Sequence, residues 1–211
     1  MSILLSVQPV SATVTGGAVV GESVSPKGVF IKLSVPLRNP HGPRNSVGED
    51  TFQDPNLYAF DEDQNIHLKT ALVTDVGMNP IPAGKIVASH YVFFDPGPGT
   101  EVFGVVDFDS HVIAIITGTD TLKASDFLAN TGVNYLNPSA RGLEPGDYVA
   151  ISGPNQITFH TVASSSGDYV RVLTEFSPKA IRITSAHPEK IDGFALVVFV
   201  ARGMLGRWQL Q

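Results

Sequence analysis

Through most of this chain the apolar positions alternate with polar ones, which puts one face of an extended strand inward and the other outward. Residues 29–35, 66–73 and 86–94 are rich in β-branched and aromatic side chains, as strands are. Residues 101–108 and 111–117 flank Asp109-Ser110, and the spacing predicts a hairpin there. Residues 148–152 and 156–162 flank Gly153-Pro154-Asn155, a second hairpin signal. Further strands are predicted at 169–174, 180–184 and 194–200. Helical character is confined to 121–129, where Leu122, Asp126 and Ala129 line one or two short turns. One phrase occurs twice, twenty-one residues apart: Gly146-Asp147-Tyr148-Val149 and Gly167-Asp168-Tyr169-Val170. Each copy is a turn feeding a strand. Short strands at this spacing without intervening helices predict an all-β fold: a single antiparallel β-sandwich, jelly-roll-like, with one short helix. The whole chain, 1–211, reads as one domain.

Residues 38–56 break the pattern. They are polar and rich in Asn, Pro and Gly, and so long an irregular segment in a compact domain is usually functional or disordered. The ends are short apolar runs. Residues 1–12 read either as the remnant of a signal peptide or as a first strand, because a full signal needs a basic start and a longer apolar stretch. Residues 194–201 are too few to span a bilayer, so 186–211 reads as a last strand or a degenerate tail.

Composition narrows the function classes. Lys and Arg total 14 against 20 Asp and Glu, a net charge of −6. Nucleic-acid binding rests on clustered cations, and this balance argues against it. No transmembrane segment is expected. The chain has no cysteine, which removes disulfides, zinc–thiolate sites and thiol nucleophiles. A neutral polysaccharide or a cation such as calcium stays compatible.

An ordered set of short motifs then becomes informative. Residues 55–66 (Pro-Asn-Leu-Tyr-Ala-Phe-Asp-Glu-Asp-Gln-Asn-Ile) precede Ile-Pro-Ala-Gly at 81–84 and Ser-His-Tyr-Val-Phe-Phe-Asp-Pro at 89–96. Gly-Val-Val-Asp-Phe at 104–108, Ile-Ala-Ile-Ile at 113–116, Ala-Ser-Asp at 124–126 and Tyr-Leu-Asn-Pro at 135–138 follow. Arg-Gly-Leu-Glu at 141–144 and Gly-Asp-Tyr-Val-Arg-Val-Leu-Thr at 167–174 close the series. Over about residues 45–174 this order resembles a group of secreted bacterial proteins of unassigned activity. Many of them carry a PEP-CTERM sorting tail and are associated with exopolysaccharide. The resemblance implies a secreted or cell-surface protein and brings no catalytic residues with it. This chain departs from the group at 187–190, where His-Pro-Glu-Lys stands in place of Pro-Glu-Pro.

Candidate chemistry is sparse. Asp61, Asp63 and Asn65 place oxygen ligands at alternate positions, as calcium loops do. Ile66 and Leu72 stand where an EF-hand needs Gly and Glu, so a structural calcium site would have to borrow another loop. Asp107 and Asp109 share a strand face. Of the six histidines, His67, His90, His111 and His160 fall in predicted strands, where two or three converging on one face would form a site; His41 lies in the long loop. None forms His-x-His or His-Glu-x-x-His, and Gly-x-Ser-x-Gly is absent. His41 and His90 are the candidate catalytic residues. Ser89 and His90, adjacent on a strand, point to opposite faces and form no dyad. Tyr135 and Tyr148 are the candidate ligand-binding aromatics. Arg141 and Glu144 form a predicted local ion pair, and Arg171 a buried one with Asp95 or Glu144. The sum is a non-enzymatic extracellular binding or matrix module for a glycan or surface polymer. The alternative is a hydrolase or lyase acting on such a polymer, with a site near 38–56.

Overall fold

A computed structural model describes residues 12–20, 28–97, 99–163 and 166–176, all within one compact unit, Pro9–Lys179. Residues 1–11 of the predicted first strand at 1–12, the strands at 180–184 and 194–200, and His187 lie outside the described residues.

The first strands are β1 (Val14–Val19), β2 (Phe30–Lys32), β3 (Ser46–Val47), β4 (Leu57–Asp61), β5 (Ile66–His67) and β6 (Val76–Gly77). Then come β7 (Ile86–Phe94), β8 (Thr100–Phe108) and β9 (Val112–Ile116). A helix, α1 (Thr119–Ala124), runs into a 3₁₀ turn at Asp126–Leu128. The chain continues through β10 (Asn134–Tyr135), β11 (Tyr148–Gly153), β12 (Gln156–Ala163) and β13 (Asp168–Glu175).

Two sheets form the all-β sandwich. One has four strands in the order β1-β8-β12-β11; the other has seven, β2-β4-β7-β13-β9-β6 with β5 also on β7. Pairing is antiparallel except at β2–β4 and in the small β3–β10 ribbon, which are parallel. The twin phrases supply one strand to each sheet: Tyr148 begins β11 and Asp168 begins β13. Between the sheets lie Leu57, Val92, Phe94, Val106, Phe108, Ile115, Ile157, Phe159, Val170 and Val172, all buried.

The seven-stranded sheet is buried on its second face as well. Residues from 37–52, 68–81 and 122–135 fold over it and enclose Phe52, Tyr58, Phe60, Tyr91, Phe93 and Tyr169. Tyr58, Phe93 and Tyr169 stack in sequence, with centroids 5.2 and 5.5 Å apart. Strand β7 therefore carries apolar residues at nearly every position, as a strand covered on both faces must. Its residues Ala88, His90, Val92 and Phe94 face the sandwich interior, while Ser89, Tyr91 and Phe93 face this outer layer.

Two expectations are corrected. Asp109-Ser110 is no hairpin. Strand β8 belongs to the four-stranded sheet and β9 to the seven-stranded one, so the chain crosses between layers there. The cross is stitched by Phe108 N–H to Asn155 O and Val112 N–H to Pro154 O, both 2.8 Å, from the β11–β12 turn. The predicted strand at 66–73 is a strand only at Ile66 and His67, with Leu72 joined to Ile81 by an isolated antiparallel bridge. The 38–56 segment is irregular apart from β3, as its composition predicts, but it is packed against the core. Ser46, Val47, Thr51 and Phe52 are buried in it, and the Phe52 N–H donates to Asp95 Oδ2 at 3.0 Å.

Candidate functional site

The predicted catalytic histidines separate. His41 is exposed on the 38–56 segment, whereas His90 is fully buried. Alternation along β7 turns His90 inward, between Asp61 at the end of β4 and Thr174 near the end of β13. Its Nδ1 lies 2.8 Å from Asp61 Oδ1 and its Nε2 3.0 Å from Thr174 Oγ1. An ionised carboxylate only accepts, so the ring donates through Nδ1. Burial raises the Asp61 carboxyl, but the hydrogen bond and charge of His90, with Thr13 and the Val14 N–H, hold it well below the usual carboxylate range. Lys32 Nζ adds an ion pair at 2.9 Å. Carboxylate, imidazole and hydroxyl stand in the order of a hydrolytic triad. No solvent reaches either His90 or Thr174, and Phe108 lies 5.0 Å from the imidazole ring. The arrangement fastens one end of the sandwich.

The calcium candidates are not brought together. Asp61 is engaged as above; Asp63 lies beside Thr131, and burial with the nearby Glu62 raises its carboxyl. Asn65 is an exposed turn residue at φ 56°. Among the described residues no group of three His, Cys, Asp or Glu side chains is placed to hold a metal. The remaining strand histidines scatter as well. His160 faces out from β12, His67 is exposed on β5, and His111 lies 4.0 Å from Glu175 at the β8–β9 crossing. Asp107 and Asp109 take separate partners: Gln156 Nε2 at 2.8 Å and the Thr13 N–H at 2.7 Å.

Tyr135 belongs to a second buried cluster. Arg171 on β13 donates from Nε to Glu62 Oε2 at 2.7 Å and from Nη2 to Glu62 Oε1 at 3.0 Å. Its Nη1 reaches Ser125 Oγ at 2.6 Å and the Leu122 carbonyl at 3.1 Å. Ser89 Oγ and Tyr135 Oη each donate to Glu62 at 2.6 Å. Burial alone would lower the Arg171 guanidinium, but Glu62 more than offsets this and holds it charged. Arg141 pairs with both oxygens of Asp126, at 3.0 and 2.8 Å. The predicted partners of these arginines are therefore corrected: Glu62 and Asp126 replace Asp95 and Glu144. Tyr135 is a scaffold residue here, with its hydroxyl committed to Glu62.

Tyr148 has a different setting. It is 56% exposed at the start of β11, on the outward face of the four-stranded sheet. Register places it directly opposite His160 of β12, and His160 opposite Phe103 of β8. Cross-strand partners share a face, so the three rings form one row across three strands. Phe103 is 40% exposed, with its ring 5.0 Å from His160. The N–H of Val20, also exposed, bonds to the Phe103 carbonyl at 2.7 Å and extends the row. Polar groups accompany it. His160 Nε2 lies 2.7 Å from Glu101 Oε1, and Gln156, Asp107 and Ser152 are hydrogen-bonded alongside. Large exposed aromatics are uncommon on a plain surface, and a contiguous set marks a contact site. Phe103 and Glu101 carry no motif. The signal for them was the outward phase of an alternating strand, readable once β8 and β12 are known to pair.

No family model matches this chain, and neither a curated protein nor a solved structure matches it.

Proposed function

We propose that this chain is an extracellular β-sandwich module that binds a neutral glycan or surface polymer on the outer face of its four-stranded sheet. The row Tyr148–His160–Phe103 carries the reading. Strands are about 4.8 Å apart, so the two outer rings are about 10 Å apart, roughly a disaccharide step along an extended glycan. Sugar rings present apolar C–H faces to aromatic rings and hydroxyls to polar neighbours, and this surface offers both kinds of partner. The net charge of −6 disfavours polyanions and leaves neutral polymers. The resemblance to secreted proteins associated with exopolysaccharide supports an extracellular location. A hydrolytic role ranks second, because the Asp61–His90–Thr174 array would have to open before any polymer reached it.

Affinity gels and calorimetry with a panel of neutral polysaccharides test the proposal. At least one should bind. Tyr148→Ala and Phe103→Ala should each weaken binding about tenfold, about 1.4 kcal/mol. Both side chains are outward, so stability should change by no more than about 0.5 kcal/mol. If no polymer binds, or if binding survives the double substitution, the reading fails.

A further inference from the structure

The two aspartates of the repeated phrase meet at one end of the sandwich. A cleft of about 180 Å³ opens there, lined by residues of 139–144, 162–163 and 166–168 with Thr119. Glu144 and Asp168 line it, and Asp147 adds its charge from the turn before β11. Strand β13 starts with the side chain of Asp168 turned inward, in phase with Val170 and Val172. Asp168 is only 4% exposed, and its Oδ2 has no hydrogen-bond partner. Thr161 of β12 lies beside it, and its hydroxyl offsets part of the cost of burial without closing a full hydrogen bond. Asp147 is fixed by its own loop and by β12: it accepts the Glu144 N–H at 2.8 Å and the Val162 N–H at 3.0 Å. Gly167, at φ 67°, makes this approach possible; a Cβ there would stand 2.7 Å from the Phe94 carbonyl.

We infer that this cleft is a binding site for a primary ammonium group. A buried carboxylate oxygen without a partner carries a desolvation cost of about 1–3 kcal/mol or more, which a bound cation would remove. Every charged group turned toward Asp168 is acidic except Arg141, whose Nη1 and Nη2 are held by the two oxygens of Asp126 while its buried Nε closes no hydrogen bond. Asp50, which accepts the Ser166 N–H at 2.8 Å, and Asp95 beside Gly167 add no positive charge. The occupant is therefore a cation. An ammonium fits better than a bare metal ion. The carboxylates do not converge on one point, and the cleft is larger than an ion, with Ser139 and Thr119 on its wall to take further hydrogen bonds. Burial, with the charges of Asp147 and Glu144, pushes the Asp168 carboxyl up to about 7. An entering ammonium displaces that proton, so binding strengthens as pH rises through 7.

Calorimetry on the full chain tests this with two ammonium probes, D-glucosamine and Nα-acetyl-lysine amide, against D-glucose and CaCl₂. At least one ammonium probe should bind, with proton release, and D-glucose should not. The lysine derivative stays charged throughout, so its affinity should rise about tenfold from pH 6 to pH 8. A preference for glucosamine identifies an amino sugar as the source, and a preference for the lysine derivative a peptide. Asp168→Asn should abolish binding while the protein melts higher at pH 8, which shows it is folded. Phe103→Ala, outside the cleft, should leave ammonium binding unchanged, so this site and the sheet face can fail separately. Absence of binding by both ammonium probes, binding retained in Asp168→Asn, or uptake of Ca²⁺ alone would each overturn the inference.

Discussion

At the residue scale, this molecule devotes its buried charge to fastening one layer to another. Arg171 sits in the middle of the seven-stranded sheet, and its partner Glu62 lies 109 positions away. Both side chains are fully buried. Two charges out of water are tolerable only when each hydrogen bond is satisfied, and here Ser89, Tyr135 and Ser125 complete the set. Removing one member leaves the other charged and unpaired. Arg171→Met should therefore cost about 3–5 kcal/mol in urea unfolding, and adding Glu62→Gln should recover part of it, because the orphaned charge is gone. If the double variant is less stable than Arg171→Met alone, the pair is not the source of the loss. A lone arginine in an apolar strand announced a buried ion pair in the sequence. Its partner was not legible, because local spacing offers Asp95 and Glu144 as readily as the residue just past the end of β4. The same limit applied to His90: alternation turned it away from Ser89, but only the sheet order brings Asp61 and Thr174 to it.

At the element scale, the long strands were readable and the short ones were not. Strands β7, β8, β12 and β13 carry eight or nine residues each of alternating or continuous apolar pattern. Their signal is the burial of whole faces. Strands β3, β5, β6 and β10 have two residues each; they exist because tertiary packing holds them, and no periodicity marks so short a piece. The crossing at Asp109-Ser110 escaped for a related reason: a tight turn looks the same whether its strands pair or part. Two adjacent glycines in β1 test the sheet phase directly. A Cβ on Gly17 would stand 2.6 Å from the Val105 carbonyl and 2.7 Å from the Phe30 ring, whereas one on Gly16 meets only Asp107 Oδ2, at 4.0 Å. Gly17→Ala should lose about 1–3 kcal/mol by overpacking. Gly16→Ala should be neutral or gain up to about 1 kcal/mol from reduced freedom of the unfolded chain. Equal effects in chemical denaturation would mean that β1 is not held in this register.

At the scale of the whole molecule, the two polar ends of the sandwich pull stability in opposite directions as pH changes. Asp61 has its carboxyl lowered in the fold, so its contribution is complete above the unfolded value near 4 and disappears as pH falls below it. Asp168 has its carboxyl raised to about 7. There the folded state holds a proton that the unfolded chain releases near pH 4, so stability falls as pH climbs from about 4 to 7 and is flat above. Asp95, raised first by burial and also by Asp50, adds to the same loss. The shift at Asp168 corresponds to about 4 kcal/mol at most, a sizeable share of the roughly 5–15 kcal/mol that holds a domain together. The three carboxylates together predict a stability maximum near pH 4–5, below neutrality. Urea midpoints measured from pH 3 to pH 8 should rise, peak and then decline. In Asp168→Asn the decline above pH 5 should become shallower while the loss on the acid side is unchanged, because Asp61 lies at the other end of the sandwich. A midpoint that climbs steadily to pH 7 in the unsubstituted protein would mean that Asp168 is ionised and paired there, and that the cleft lacks the unsatisfied carboxylate on which its ammonium-binding role depends.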